Sequence, residues 1–348
     1  MAENKKKKSG LGKTAAAFAA AGLLGIAGMV GPTLIHAAFR DTEAEIVTVK
    51  ENENNSYEAS TEIKIITYNI AHCRGPYDFY GNNGMNDLEM DLTIESPEEV
   101  YKCLDDVAEM LVRENAGIVL IQETDKDATW SHGIDFMPYL AKKAGMNYYA
   151  YGAKYDFLWA GYPFKDRRGW SELHFNIGNG ILSKHPIISA ENKAFDSRSF
   201  LDWIVGEEKY LDAVISINGK ETRIISTHFN FGEIETKRII NEAESSAMPL
   251  IFGGTLHLVI PTLIESAPRL KWWSANAMKL LDDSGLFSIY MLGVDPNSAE
   301  YYTSDTENLY WTADYIIPTK NIQIKDYYVI NVELSDHKPV AATLTISQ

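Results

Sequence analysis

The chain has 348 residues, of which 45% are hydrophobic, 23% charged and 11% aromatic, with 48 acidic against 32 basic side chains. This composition excludes a disordered or collagenous chain and is ample for a full core. With only Cys73 and Cys103, a disulfide scaffold and a thiolate zinc cluster are excluded. No P-loop and no GxGxxG opening a helix is present, which argues against ATP and dinucleotide binding.

The N-terminus is set apart. Residues 1–13 carry Lys5, Lys6, Lys7, Lys8 and Lys13 against Glu3 alone, and the 26 residues from Thr14 to Phe39 contain no Asp, Glu, Lys or Arg. About 20 apolar residues span a bilayer as a helix, whereas a signal-peptide core has about 7–15. The expected reading of 1–39 is therefore a lysine-led membrane anchor, with the rest of the chain on the extracytoplasmic side by the positive-inside rule. Ile35 and Ala37 offer a mediocre cleavage site before Ala38, which would make the protein secreted. A buried core helix is the bland alternative, and the Ala/Gly-rich, lysine-led composition weighs against it. Residues 40–60 are polar and acidic without a sustained period and read as a linker, leaving 61–348 as the folded domain.

Beyond residue 13 the chain holds 47 acids and 27 bases, which lowers the odds of a nonspecific nucleic-acid binder without excluding a local basic cleft. No protein partner is inferred.

Along the domain, Glu62–Ile70 reads as a strand, followed by a glycine- and aromatic-rich loop, Cys73 to Thr93. Ser96-Pro97-Glu98-Glu99 is a capping box opening a helix to about Glu114, with Val100, Cys103, Leu104, Val107 and Leu111 at helical spacing. Strands are expected at Gly117–Glu123, Ile177–Ser183, Leu211–Ile217, Glu221–His228 (after an Asn218-Gly219 turn), Pro249–Gly254, Thr312–Pro318, Tyr327–Val332 and Val340–Ile346. A helix is expected over Ser274–Ser284. Many strands with interspersed helices and no internal repeat predict an α/β sandwich, two packed sheets with helices outside.

Polar residues terminate these apolar strands: Asn69, Glu123, His228, and Asp336-His337 just before the last. Each alone reads as a solvated strand end, a turn cap or a packed histidine; the joint pattern points to a site at a sheet rim.

Five blocks in order, Ile66-Thr67-Tyr68-Asn69-Ile70, Ile118 to Asp125, Gly178-Asn179-Gly180-Ile181-Leu182-Ser183, Ser226-Thr227-His228-Phe229-Asn230, and Ala313-Asp314-Tyr315-Ile316-Ile317 with Ser335-Asp336-His337-Lys338-Pro339-Val340, carry a resemblance to the endonuclease/exonuclease/phosphatase superfamily. It runs from about Ile63 to Thr345. The resemblance implies a four-layer α/β sandwich of two mostly antiparallel sheets flanked by helices, and a metal-dependent phosphoesterase. It implies Mg2+ or Mn2+, with Zn2+ a weaker candidate, held by Glu123 with Asn69 and Asp336 close to the metal or its waters. His337 would contact the scissile phosphate with Asp314 fixing its tautomer, His228 would be a second histidine on the phosphate, and Asn179 would line the cleft.

One block departs from the pattern. Where the family carries Gly-Asp-hydrophobic-Asn, this chain has Gly254-Thr255-Leu256-His257, and threonine is no base near neutral pH. Three readings stay open: a degenerate domain that binds a phosphorylated ligand, a slow hydrolase in which His257 takes the base role, or a site of His228, His257, His337 and Glu123 that favours manganese or zinc. The Thr255→Asp, His257→Asn double change is expected to raise phosphodiesterase activity.

Tyr148, Tyr149, Tyr151, Tyr155, Phe157, Trp159, Tyr162 and Phe164 crowd one segment, either packing under a loop or forming an aromatic rim, as could Trp272 and Trp273. With an anchor, acidic charge and aromatics, the favoured substrate is a lipid-linked or small phosphodiester; an extracellular nuclease is the enzymatic alternative. Cys73 and Cys103 can pair or stay as free thiols.

Overall fold

The computed structural model describes residues 30–49, 62–76, 96–160, 172–195, 200–229, 232–257, 275–289, 298–304, 306, 309 and 311–346. Its strands are β1 (Glu45–Thr48), β2 (Glu62–Asn69), β3 (Ile118–Ala128), β4 (Tyr148–Ala160), β5 (Glu172–Ser183), β6 (Ile187–Ala194), β7 (Lys209–Ile217), β8 (Lys220–His228), β9 (Leu250–Thr255), β10 (Asp314–Pro318), β11 (Ile322–Val329) and β12 (Val340–Ile346). Its helices are α1 (residues 30–39), α2 (Pro97–Arg113), α3 (Phe136–Lys143), α4 (Phe200–Val205), α5 (Glu233–Glu244) and α6 (Ala275–Ser284).

The strands form a seven-stranded sheet, β1-β4-β5-β3-β2-β12-β11, and a five-stranded sheet, β10-β9-β8-β7-β6. Only β2–β3 and β8–β9 pair in parallel, so the sheets are mostly antiparallel as expected. Apolar residues on facing strands, among them Ile65, Leu120, Ile181, Ile225, Phe252 and Ile316, are fully buried in one cluster. That burial contributes about 25 cal/mol per Å2 of apolar area and holds the two sheets together. The outer side of the larger sheet is covered by α2 and α3 through Leu104, Val107, Leu111, Phe136 and Leu140, packed on Ile66, Tyr68, Val119 and Ile121. On the smaller sheet α5 and α6 contribute Ile239, Ala277, Met278 and Leu281. The order is helix, sheet, sheet, helix, the four-layer sandwich.

The capping box forms as read: Ser96 accepts from the Glu99 amide at 3.3 Å, with Pro97 in the first turn. Gly253 and Gly254 let the β9 backbone approach its neighbours. A Cβ on Gly253 would lie 2.7 Å from the Tyr315 carbonyl, and on Gly254, at φ +144°, 1.7 Å from that of Thr227.

The structure departs from the sequence reading at several places. Glu45–Thr48, inside the segment read as a linker, is an edge strand paired with β4, so the sheet begins upstream of residue 61. Its short Ile-Val-Thr core is too brief to stand out as a period-two pattern. Much of the aromatic segment is strand β4, in which Tyr149 and Tyr151 pack into the α2–α3 core rather than under a loop. Tyr162, Phe164, Trp272, Trp273 and most of the loop from Cys73 to Thr93 lie outside the described residues. Cys73 and Cys103 are free thiols.

No helix among the described residues is long and apolar enough to cross a membrane, and residues 1–29, most of the expected anchor, are not among them. The last ten residues of that run form α1, which lies on the domain. Thr33 and Ala37 are buried, His36 meets Asp156, and Arg40 donates to the carbonyls of Asp156, Asp202 and Ile204.

Candidate active site

The parallel pairing of β2 with β3 and of β8 with β9 sends all four strands toward the same end of the sandwich, where β10 and β12, antiparallel to β9 and β2, begin. Asn69 ends β2, His228 ends β8, Thr255 ends β9, Asp314 starts β10, and Asp336 and His337 stand just ahead of β12. The topology therefore gathers at one rim the polar strand ends scattered from Asn69 to His337.

Glu123 is held there by an irregularity. The β3–β5 register shifts between Ile121 and Thr124, and Glu123 has φ 52°. A bulge of this kind turns a side chain out of the alternation and concentrates at functional sites. Its carboxylate accepts from Asn69 Nδ2 at 3.0 Å and lies 3.3 Å from both His228 Nε2 and His72 Nε2. Burial opposes its charge, but His228, His72 and Asn69 outweigh that and hold it well below the usual carboxylate range.

His228 has a defined tautomer. Lys154 Nζ lies 3.1 Å from its Nδ1, and an ammonium can only donate, so Nδ1 accepts and the ring proton sits on Nε2 facing Glu123. Lys154 also pairs with Glu208 at 2.7 Å.

A second chain of contacts runs through Thr255. Its buried hydroxyl donates to Asp314 Oδ1 at 2.8 Å and accepts from Asn69 Nδ2 at 3.1 Å. Asp314 Oδ2 lies 2.7 Å from His337 Nδ1. Burial would strip the proton from His337, yet Asp314 and then Asp336 reverse this and push its pKa up to about 10, leaving an imidazolium. His257 behaves oppositely. Burial, then the neighbouring His228, His337 and Lys154, push it well below the usual imidazole range, so it is a neutral base. Its ring stands edge-on to His228 at 5.2 Å and stacks on Trp311 at 5.5 Å.

All eight sequence-predicted residues except Asn179 thus belong to one network at this rim. Asn179 lines the adjoining cavity of about 180 Å3 with His72, Glu123, Lys154, Tyr155 and His228. Its Nδ2 donates to the Lys209 carbonyl at 3.1 Å, while its buried Oδ1 has no hydrogen-bond partner among the described residues. An acceptor left unmatched in a cavity wall costs about 1–3 kcal/mol and is relieved by a ligand or water donor.

Sequence reading missed His72 and Lys154. His72 follows the first block in a left-handed turn, with Ala71, His72 and Cys73 all at positive φ. It sits between Glu123 and Asp125, 2.6 Å from the latter. Burial lowers its pKa, but Asp125 and then Glu123 outweigh that and raise it above the usual imidazole value. A lone histidine in an Ala-His-Cys stretch gives no pattern, and Lys154 lay in the segment read for its aromatics.

The donor set suits a hard divalent cation. Asp336 has its pKa raised by burial, and Glu123 adds to that rise despite the opposing pull of His337. Two carboxylates and an amide offer the oxygens that magnesium or manganese accepts, with two imidazoles 3.3 Å from the Glu123 carboxylate.

No protein-family model matches the sequence, and no curated protein matches it significantly. Solved structures do match its fold. An endonuclease/exonuclease/phosphatase from Beutenbergia cavernae superposes with TM-score 0.57 at 15% identity, over 82% of this chain and 71% of that one. One from Bacteroides vulgatus gives 0.53 at 14%, over 83% and 100%. The human Nocturnin catalytic domain with bound sulfate gives 0.51 at 14%, over 87% and 98%. The chain has the endonuclease/exonuclease/phosphatase fold, as its motifs implied.

Proposed function

We propose that this protein is a divalent-metal-dependent phosphoesterase in which His257 takes the place of the missing aspartate as general base. The observation that carries the reading is geometric: contacts of 2.7–3.1 Å join Glu123, Asn69, Thr255, Asp314 and His337 at one rim, where the His257 ring stands 5.2 Å from that of His228. There Asp314 raises the pKa of His337 against burial while burial lowers that of His257, opposed directions that suit one to hold a proton and the other to accept one.

Glu123 and Asp336 would hold magnesium or manganese, which when bound neutralises phosphate charge. Lys154 lines the cavity beside Glu123 and supplies further positive potential to an anionic group. In the step itself, His257 removes a proton from water, the water oxygen bonds to phosphorus, the ester P–O bond breaks, and His337 delivers a proton to the departing oxygen. Asp314 keeps His337 charged and oriented. Asn179 Oδ1 accepts from a hydroxyl of the substrate.

A cavity of about 180 Å3 suits a small phosphate ester or headgroup better than a duplex. The lysine-led apolar run and the exposed Ile35, Phe39, Phe200, Leu201 and Trp203 support placement at a membrane on its extracytoplasmic side and a lipid-linked or small phosphodiester as substrate. A second reading, a domain that binds a phosphorylated ligand without turning it over, is favoured by Thr255, whose hydroxyl is committed to Asp314 and Asn69.

Hydrolysis of an activated phosphodiester separates them, measured with magnesium, with manganese and without metal. Metal-dependent turnover that disappears in Glu123→Gln and in His257→Ala supports the enzyme. Parent activity no higher than Glu123→Gln, with turnover restored by Thr255→Asp plus His257→Asn, supports the binding domain.

A further inference from the structure

Away from this rim, His36, Asp156 and His174 each offer one ligand atom, and these atoms all lie within 4.8 Å of one another. His36 comes from α1, Asp156 from β4 and His174 from β5. Asp156 is paired with Asn176 and Leu158 with His174, which puts Asp156 and His174 diagonally opposite on one face of the β4–β5 ladder. His36 Nε2 lies 2.7 Å from Asp156 Oδ1, and the His36 and His174 rings stand edge-on at 5.9 Å. The Asp156 side chain is 9% exposed.

We propose that His36, Asp156 and His174 form a second metal site, for zinc or a like divalent transition ion, that fastens helix α1 to the sheet. An ion pair would need only His36 and Asp156. The second imidazole has no part in such a pair, yet it is held at the same point, with the Asp127 carboxylate 3.3 Å from its Nδ1. A histidine ligand backed by a carboxylate is the usual outer support of a metal-bound ring. Two imidazoles and one carboxylate are borderline donors that suit zinc or cobalt, with water filling a fourth position, whereas magnesium prefers oxygen alone. Arg40 Nη1 donates to the backbone carbonyl of Asp156, whereas the Asp156 carboxylate meets His36. The site would bind metal whether or not the rim is catalytic. It ties the end of the uncharged N-terminal run to a strand 120 residues away.

The test uses the full chain, stripped with chelator and titrated with cobalt(II), then with zinc as competitor. Visible bands of tetrahedral cobalt, displaced by zinc, are expected in the parent and equally in Glu123→Gln, which alters only the rim. His36→Ala and His174→Ala should weaken zinc binding by about 100-fold or more, since outer-shell partners alone account for about 10–100-fold. Arg40 still anchors α1 in His36→Ala, and far-UV circular dichroism checks its fold. Zinc protection against diethylpyrocarbonate, mapped on unmutated protein, is a readout independent of the variants: protection of His36 and His174 is expected. Absent tetrahedral bands, equal zinc binding in both histidine variants, or equal modification with and without zinc would overturn the site and leave an ion pair.

Discussion

Thr255 both donates to Asp314 and accepts from Asn69, so it links the Glu123 side of the rim to the His337 side. Thr255→Val removes that hydroxyl with little change in volume and leaves a buried carboxylate oxygen and a buried amide short of a partner. The expected cost is about 1–3 kcal/mol in urea unfolding, and equal stability would mean that water replaces the hydroxyl. Asp314→Asn acts on protons. In the parent, His337 keeps its charge up to about pH 10, so activity dependent on the imidazolium is present below that pH and falls as pH rises through it. Removing the Asp314 charge takes away the largest raising influence, and the alkaline limb of kcat/KM should move toward neutral pH. The loss at pH 8 is about 100-fold or more, in the range for a positioned acid. An unmoved limb would assign the acid role to another group.

At the scale of elements, the strands that bear the rim were legible because burial on both faces leaves continuous apolar runs, as in Ile118–Ile121 and Leu250–Phe252. Their polar last residues carried the site with them. What escaped detection was structure whose signal is not local: β1 is short and finds its order only against β4, and His72 owes its position to a left-handed turn and to Asp125. The Gly253-Gly254 pair could be seen but not explained before the approach of Thr227 and Tyr315 to β9 was known. Gly254→Ala is therefore expected to destabilise by about 3 kcal/mol or more, because the left-handed φ and the Thr227 carbonyl both oppose a Cβ. Thermal unfolding within a degree of the parent would mean that β9 moves freely. On the β8–α5 side, Arg223 joins Asp212 to Glu242. Burial would raise the Glu242 pKa, but Arg223, Tyr210 and Lys193 bring it down to about 2. A depressed acid stabilises above its unfolded pKa of 4.5 and loses that contribution as pH falls toward 2. Glu242→Gln should cost about 1 kcal/mol at pH 7, and the gap to the parent should close by about pH 2.

For the whole molecule, the formal charge of −16 sets a field that an anionic substrate must cross before Lys154 and the rim histidines can act on it. The two influences have different ranges. The net charge is spread over the surface and acts at distances that salt shortens, from a Debye length of about 30 Å at 0.01 M to about 8 Å at 0.15 M. The Lys154 and His337 charges are buried and act within contact distance, where screening is weak. Raising ionic strength at saturating metal should therefore increase kcat/KM for a soluble anionic phosphodiester several-fold. A zwitterionic phosphodiester of similar size, carrying no net charge, should change little. A fall for the anionic ester alone would mean that the rim draws anions from a distance and that the acidic surface lies away from the approach to the cavity. Equal responses would point to an effect of salt on the metal or on the fold, and the comparison between the two esters separates that from steering.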